Sequence, residues 1–295
     1  MQCLVISATS DIGFEISKSW LDQGFSVTGT YRTYSDNADV LKEKGAELFE
    51  LDLGDSDSLL SRLEAGLASD YEWDVLLMCP ATQEPFGLFF DVDFDTWEKS
   101  FAINYTNQMK IMHFLYSYRS KKEVNGLEPV ALFFAGGGPN KATRSYSAYS
   151  LSKVVMIKTV ELLQFEYPET RFSILNPGWV KTKSQYKMLE RGDLVGEDYE
   201  RTKAKFDSGN WTPVQKVVEC CNWLIQQSRE VVGGRYLGVE FDKWGDASFA
   251  DWLLGDSELC KLRRNECSNS DHIVNDSRPI QAYSTNKSGE LSETS

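Results

Sequence analysis

Several features that would indicate other classes of protein are scarce or missing in this 295-residue chain. No apolar run approaches the roughly 18 residues that a membrane-spanning helix needs, so we expect no membrane association. Only two histidines, His113 and His272, are present, which argues against a Ser-His-Asp hydrolase and against a histidine-rich metal site. The six cysteines are scattered, with one adjacent pair, and indicate neither a disulfide framework nor a zinc cluster. We therefore expect no metal.

Acidic residues outnumber basic ones: the chain has 44 Asp and Glu and 31 Lys and Arg, which gives a net charge of -13. This charge opposes binding to the phosphate backbone of nucleic acids, and no basic stripe with interleaved aromatics offsets it. No basic leader precedes the apolar residues at the start of the chain, so we expect a cytoplasmic location. The hydrophobic content of 41% is sufficient for a large core.

Apolar runs rich in β-branched and aromatic residues alternate with segments of helical period. This alternation predicts an α/β protein with a Rossmann-like, doubly wound parallel sheet in a single domain. The predicted strands are Gln2–Ser7, Ser26–Tyr31, Ala46–Glu50, Asp74–Met78, Pro129–Phe134, Arg171–Asn176 and Arg235–Val239. The predicted helices are Ile12–Gln23, Ala38–Lys44, Ser56–Ala65, Thr96–Tyr118, Tyr146–Phe165 and Pro213–Gln227.

Two segments depart from this alternation. Residues 181–210 carry charges, aromatics and glycines without strong periodicity, and they follow a predicted strand at the end where ligand-covering loops lie in open sheets. We interpret them as a substrate loop; a plain surface excursion is the alternative. Residues 265–295 are rich in Ser, Asn and Asp, which predicts a disordered tail after a dinucleotide-binding domain of residues 1–264.

Tyr149 and Lys153 are the most informative pair, because the spacing i, i+4 places both on one helix face. A nearby ammonium stabilises a phenolate, so we expect Lys153 to lower the pKa of Tyr149 toward neutral pH. Tyr149 is therefore a candidate proton donor and acceptor. A Tyr and a Lys at this spacing are common on helices, so other parts of the chain must support the functional interpretation of the pair.

The first predicted strand leads into Ser7-Ala8-Thr9-Ser10-Asp11-Ile12-Gly13 and then a helix. Backbone N–H groups at such a turn can hold a pyrophosphate, although small polar residues there are also ordinary helix caps. Only one glycine is present, and Asp11 places a negative charge near the expected phosphates unless it turns to cap the helix.

Taken in chain order, these landmarks resemble the short-chain dehydrogenase/reductase family over residues 1–239. The first turn resembles the family's glycine-rich loop, Asp52-Leu53 its adenine-contacting pair, and Met78-Cys79-Pro80-Ala81 its Asn-Asn-Ala-Gly segment. Residues 135–153 and the ending around Trp244 also resemble a poorly characterised bacterial branch of the family.

The resemblance implies an oxidoreductase that transfers a hydride between a nicotinamide cofactor and a carbonyl or secondary alcohol. Tyr149 would be the general acid/base, Lys153 would also bind the nicotinamide ribose, and Asn104 would hold a water that relays protons. The implied cofactor-binding residues are Ser7, Thr9, Ser10, Ile12, Gly13, Arg32, Asp52, Leu53, Pro80, Tyr149, Lys153, Pro177, Gly178, Val180 and Thr182. The family also suggests a homodimer or homotetramer, with the predicted helices Thr96–Tyr118 and Tyr146–Phe165 as the interface.

Arg32 decides the predicted cofactor. It follows the second strand, where NAD-binding proteins carry an acidic residue for the ribose 2'-hydroxyl. An arginine there can pair with a 2'-phosphate, so we expect NADP rather than NAD; a solvated surface side chain is the alternative.

Gly136 stands where the resemblance places a catalytic serine. Backbone N–H groups of Gly136 and Gly137 are candidates to bind the substrate oxygen instead. Loss of the serine and of loop glycines leaves a second hypothesis open, a non-catalytic NADP(H)-binding sensor or scaffold of the same fold. A third hypothesis is a structural module that binds no nucleotide.

Overall fold

The computed structural model describes residues 1–136 and 142–264. Contacts between residues divide the chain into Met1–Leu262 and Arg263–Ser295, and the first unit contains all the helices and strands of the described part. The tail that the sequence predicts to be disordered, residues 265–295, lies outside the described residues.

The first unit is built on one parallel sheet of seven strands in the order β3-β2-β1-β4-β5-β6-β7. The strands are β1 (Gln2–Ile6), β2 (Ser26–Tyr31), β3 (Glu47–Glu50), β4 (Val75–Met78), β5 (Val130–Phe134), β6 (Arg171–Asn176) and β7 (Tyr236–Gly238). All seven predicted strands are confirmed, because the structure changes no boundary by more than one residue.

The helices follow the strands in the alternation that the sequence predicts. They are α1 (Asp11–Asp22), α2 (Asp36–Glu43), α3 (Leu59–Gly66), α4 (Phe94–Phe101), α5 (Asn107–Leu115), α6 (Ser147–Glu166), α7 (Lys183–Arg191), α8 (Glu197–Ser208), α9 (Val214–Ile225), α10 (Arg229–Val232) and α11 (Ala247–Gly255). A π-helical turn, Ala102–Thr106, joins α4 to α5, so the predicted helix Thr96–Tyr118 is one rod with a widened middle. The short helices α10 and α11 were not predicted.

Helices cover both faces of the sheet, which is why the strands are nearly continuous apolar runs. In β1, Cys3 and Val5 pack in the core on the side of α1 and α9, whereas Leu4 and Ile6 pack with α3, α5 and α6 on the other side. All four side chains are fully buried. The sheet therefore has two cores and no solvent-facing surface at its centre.

The strand order reverses between β1 and β4, and ligands of open α/β sheets bind at the carboxyl ends of the strands beside such a reversal. The connections after β1, β4, β5 and β6 all leave from this edge. The sheet thus brings the predicted site segments to one cleft.

Other features lie away from this edge. A cavity of about 310 Å³ opens at the amino ends of the strands, beside Met1, Glu128 and Arg171. The Arg171 guanidinium is already hydrogen-bonded there to the carbonyls of Ile225 and Gln227, at 3.0 and 2.6 Å.

Within residues 1–136 and 142–264, no helix is both long and apolar enough to cross a bilayer. The same residues contain no group of three acidic, His or Cys side chains suited to a metal ion.

Candidate active site

The turn between β1 and α1 is tight and is held by polar side chains. Ser7 has a left-handed backbone, with φ of 66°, and its N–H donates to Thr30 Oγ1 at 2.9 Å. Ser10 caps α1 by accepting from the N–H of Gly13 at 3.2 Å and donates to the Ser7 carbonyl at 2.8 Å. A Cβ on Gly13 would lie 2.4 Å from that carbonyl oxygen, so only glycine fits. The first turn of α1 leaves N–H groups suited to an anion, and it therefore fits a pyrophosphate.

Asp11 is the first residue of α1, and its carboxylate contacts a different helix. Its Oδ2 accepts from the backbone N–H of Lys183 at 2.7 Å, at the start of α7 and next to Thr182. The carboxylate thus stabilises the amino end of α7, where a negative charge is favourable. It links the first turn to the segment that follows β6.

The predicted adenosine end lies after β2 and β3. Arg32 is exposed and has no hydrogen bond or ion pair with the described residues. Asp52 accepts from the N–H of Gly54 at 2.8 Å, and the side chain of Asn107 donates to the carbonyl of buried Leu53, also at 2.8 Å. Asn107 therefore fixes the loop that the resemblance assigns to adenine.

The loop after β4 is held by two buried amides of the α4–α5 rod. Asn104, within the π-turn, accepts from the N–H of Thr82 and donates to its carbonyl, both at 2.8 Å. Gln108 Nε2 donates to the carbonyls of Pro80 and Asn104 at 3.0 Å each. A π-turn interrupts the regular helical hydrogen bonds, and Gln108 compensates for part of that loss. Asn104 thus positions backbone, and the water relay predicted at its position stays a prediction.

Tyr149 and Lys153 lie in α6 beside the carboxyl end of β5. The Lys153 Nζ is 5.7 Å from the centre of the Tyr149 ring and donates to the carbonyl of Phe134 at 2.9 Å. Lys153 is 1% exposed, and apart from this carbonyl its surroundings are largely apolar. The structure therefore brings the predicted pair together.

Burial controls the titration of both residues. It raises the pKa of Tyr149 to about 12, with a further contribution from Tyr236, and it lowers the pKa of Lys153 to about 8. The expectation that Lys153 lowers the pKa of Tyr149 toward neutral pH is contradicted in this structure, because desolvation of the phenolate dominates the titration of Tyr149. At neutral pH Tyr149 is a proton donor, and Lys153 can give up its proton at modest cost.

Gly136 touches the reactive end of Tyr149. A Cβ built on Gly136 would lie 2.0 Å from the phenol oxygen and 2.7 Å from the carbon that carries it. No side chain fits while the phenol stays where it is. The second predicted substrate residue, Gly137, lies outside the described residues.

The segment after β6 forms the far wall of the cleft. Gly178, preceded by Pro177, has φ of 75°, and a Cβ there would lie 2.4 Å from Thr212 Oγ1. Its N–H donates to Asn176 Oδ1 at 3.1 Å. Val180 is buried. The segment is thus a fixed turn, as the predicted nicotinamide contacts require.

Helices occupy most of residues 181–210, which corrects the prediction of an aperiodic segment, whereas the role of a substrate loop stays a prediction. The segment forms α7, a 3₁₀ turn (Gly192–Val195) and α8, together called the lid here. Glu84, after β4, pairs with Arg191 at 2.8 Å and with Lys187 at 3.6 Å, and these bonds attach the lid to the body.

A family model described as enoyl-(acyl carrier protein) reductase matches residues 6–240, which is most of the chain and all seven strands except four residues of β1. The chain belongs to the short-chain dehydrogenase/reductase family. A search of curated proteins gave no significant match.

Solved structures of short-chain dehydrogenases/reductases share this fold at low sequence identity. One from Saccharomyces cerevisiae has a TM-score of 0.71 and 19% identity, covering 85% of this chain and 98% of its own. A variant of actinorhodin polyketide ketoreductase, solved with NADPH, has a TM-score of 0.68 and 20% identity, covering 81% and 95%. A protein from Shigella flexneri solved with NADP has a TM-score of 0.64 and 17% identity, covering 81% and 96%. At these identities the likeness shows the fold alone.

Four residues of this short-chain dehydrogenase/reductase were missed at the sequence level. Asn107 and Gln108 fix the loops after β3 and β4, Glu84 anchors the lid, and Tyr146 lies buried beneath it. The sequence did contain a signal for Asn107 and Gln108. Together with Asn104 they place three amide side chains on one helix face, and such a row of amides indicates buried hydrogen bonds. Glu84 and Tyr146 carried no signal of that kind.

Proposed function

We propose that this short-chain dehydrogenase/reductase is an NADP-dependent enzyme that interconverts a carbonyl and a secondary alcohol. The observation that carries the proposal is the pairing of Tyr149 with the buried Lys153 at the carboxyl end of β5, beside Gly136. A tyrosine that is protonated at neutral pH beside a lysine supplies the proton donor that a carbonyl oxygen needs when it is reduced.

The residues present fit a dinucleotide. The first turn of α1 would bind the pyrophosphate, the loop at Asp52 and Leu53 the adenine, and the turn at Gly178 the nicotinamide amide. When bound, the cofactor supplies or accepts the hydride. Arg32 supports NADP, because it is exposed and makes no ion pair with the described residues, and a 2'-phosphate would give it a partner.

In the reductive direction Tyr149 would give its proton to the substrate carbonyl oxygen. Lys153 would stabilise the resulting phenolate by its charge and return a proton to it, and Lys153 would then take a proton from solvent. Its lowered pKa favours this return. Gly136 leaves the phenol oxygen open on one side, where a side chain would otherwise cover it.

The test is a titration of NADPH and NADH against the purified protein, followed by a panel of carbonyl compounds monitored at the absorbance of the reduced nicotinamide. Tyr149→Phe should keep nucleotide affinity within a few-fold and lower the single-turnover rate at least about 10²-fold. A phenylalanine variant with near-normal rates would contradict the role of Tyr149.

A second candidate is a non-catalytic NADP(H)-binding sensor or scaffold, supported by Gly136 in place of a serine and by Ser7 and Asp11 in the first turn. It predicts nucleotide binding without turnover of any carbonyl in the panel. The cytoplasmic location also stays a prediction.

We further propose that the protein is a homodimer or homotetramer. Exposed apolar side chains lie on α4 and α6: Phe94 is 58%, Leu162 49% and Phe165 87% exposed. On α4, the Trp97 ring stacks against Phe94, with centres 5.5 Å apart. Such a surface is typical of a protein interface.

A further inference from the structure

The lid is attached to the body through carboxylates at both ends of α7. Asp11, the first residue of α1, accepts a hydrogen bond from the backbone N–H of Lys183 at 2.7 Å. Glu84 pairs with Arg191 at 2.8 Å and with Lys187 at 3.6 Å. Lys183 and Arg191 are the first and last residues of α7, about 12 Å apart along the helix axis. The position of α7 is therefore set by two separate contacts with the body.

The two contacts differ in how closely they fix the lid. Glu84 contacts the ends of two long, exposed side chains, which can follow a moving helix by changing rotamers. Asp11 contacts the backbone itself, and a hydrogen bond of 2.7 Å is lost when α7 shifts by about 1 Å. The bond between Asp11 and Lys183 is therefore the contact that depends on the position of α7.

Asp11 also caps α7 in place of the helix's own N-cap residue. That residue is Thr182, but its side chain accepts no hydrogen bond from the first turn of α7. A threonine at an N-cap usually satisfies one of the free N–H groups of its own helix. Here the Asp11 carboxylate does so, and it adds a negative charge that the amino end of a helix favours. The Thr182 hydroxyl is thus not used for capping, and the resemblance to the family places it against the cofactor.

Asp11 belongs to the turn that fits a pyrophosphate. The N–H groups of the first turn of α1 are the donors suited to that anion. A carboxylate in the first turn of a helix is itself attracted to these N–H groups. Once released from Lys183, Asp11 would compete with the pyrophosphate for the same donors and repel its negative charge. The bond to α7 therefore keeps the first turn open to an anion.

We propose that Asp11 is a positioning residue that couples the lid to the cofactor. With α7 in place, the Asp11 carboxylate is held away from the first turn of α1 and NADPH binds tightly. With α7 displaced, the carboxylate is released and NADPH binds weakly. By reciprocity, a bound dinucleotide favours the position of α7 in which Lys183 donates to Asp11. This inference rests on the proposed function for the binding of a dinucleotide, but it needs no turnover.

Lys183→Pro is the variant that releases Asp11 with little other change. Proline is favoured at the first position of a helix, and it lacks the N–H that donates to Asp11. Thr182, which would precede the proline, has φ of -118° and ψ of 167°, an extended conformation that suits this place. Lys183→Ala is the matched control, because it removes the same side chain and keeps the N–H.

NADPH affinity of the full-length proteins is measured by nucleotide fluorescence, and amide exchange in α7 by mass spectrometry. Lys183→Pro should bind NADPH about tenfold more weakly than Lys183→Ala. In the background of Asp11→Asn, which carries no charge, the two Lys183 variants should bind NADPH within about twofold of each other. NADPH should slow exchange in α7 more in Lys183→Ala than in Lys183→Pro.

Glu84→Ala tests the same coupling from the other end of α7. It loosens the lid without touching the first turn of α1, and exposed ion pairs contribute little to the stability of the fold. We expect about threefold weaker NADPH binding with Asp11 present and no loss in the Asp11→Asn background.

The outcomes separate the two proposals. A loss of NADPH affinity that persists with Asp11→Asn would show that proline only disturbs α7, which overturns the inference. Equal NADPH affinity of Lys183→Pro and Lys183→Ala with Asp11 present overturns it as well. Affinity restored by Asp11→Asn, with no reduction of any carbonyl compound by the wild type, supports the coupling and contradicts the enzymatic function. A wild-type protein that binds neither NADPH nor NADH contradicts both proposals.

Discussion

Replacing Gly136 with serine tests the structure most directly, because two lines of reasoning predict opposite results. The resemblance of the chain to other family members suggests that a serine would supply a missing donor. Restoring an oxyanion-type donor would then raise turnover by about 10²- to 10³-fold. The structure predicts a loss.

The magnitude follows from the distances. A Cβ at residue 136 would lie 2.0 Å from the Tyr149 phenol oxygen, whereas ordinary contact begins at 3.4 Å, so the phenol must retreat by about 1.4 Å. A displacement of about 1 Å in a reacting group can cost 10²-fold in rate. The tip of the tyrosine side chain can shift without unfolding the sheet, so we expect a large loss of activity and only a small loss of stability.

The assay compares the wild type with Gly136→Ser and Gly136→Ala in kcat/KM for carbonyl reduction, and measures the melting temperature of each. The kcat/KM of both variants should fall at least about 10²-fold. Serine should be no more active than alanine, because the added Cβ, which both share, displaces the Tyr149 phenol. As a control, adding Tyr149→Phe removes the closest contact, so Gly136→Ala should destabilise this background less than the wild type. A serine variant that is faster than the wild type would refute the reasoning.

Four further predictions concern the cofactor, Lys153 and the assembly. Arg32→Glu should weaken NADPH binding at least about tenfold more than NADH binding at low salt, with Arg32→Ala intermediate; equal losses measured by nucleotide fluorescence would place Arg32 away from the 2'-phosphate. Because the pKa of Lys153 falls from 10.5 to about 8, the folded protein binds fewer protons than the unfolded chain between these values, so this residue's contribution to stability rises with pH across that window. Lys153→Met should accordingly raise the melting temperature at pH 7 by about 3 to 6 °C while abolishing turnover, and a lower melting temperature would contradict the cost of burying the charge. Carbonyl reduction by the wild type should decline above about pH 8, where Lys153 loses its proton, and a rate profile that is flat to pH 10 would count against this. Light scattering at micromolar concentration should give a dimeric or tetrameric mass, and Phe94→Asp should shift it toward the monomer; a monomeric wild type would exclude the proposed interface.

The central strands β1, β4, β5 and β6 were predictable because each is a short run with buried side chains on both faces, whereas β3 at the edge of the sheet is only partly buried. The pairing of Tyr149 with Lys153 was equally accessible, since a spacing of four residues on a helix determines a shared face. The lid helices were missed: α7 spans nine residues and buries one of them, Met188, and a 3₁₀ turn separates it from α8. A short helix with one buried side chain offers few apolar positions from which a helical period can be recognised.

The amino-acid sequence by itself indicated the fold and the pairing of Tyr149 with Lys153, because these depend on hydrophobic periodicity and on separations of a few residues along one helix. Only the tertiary structure decided how the pair titrates, since desolvation depends on which segments pack over Tyr149 and Lys153 from distant parts of the chain. It also decided that Gly136 has no room for a side chain while the Tyr149 phenol stays in place. This arises from the contact between the residue after β5 and α6, and residues that meet across such a contact have no fixed spacing in sequence.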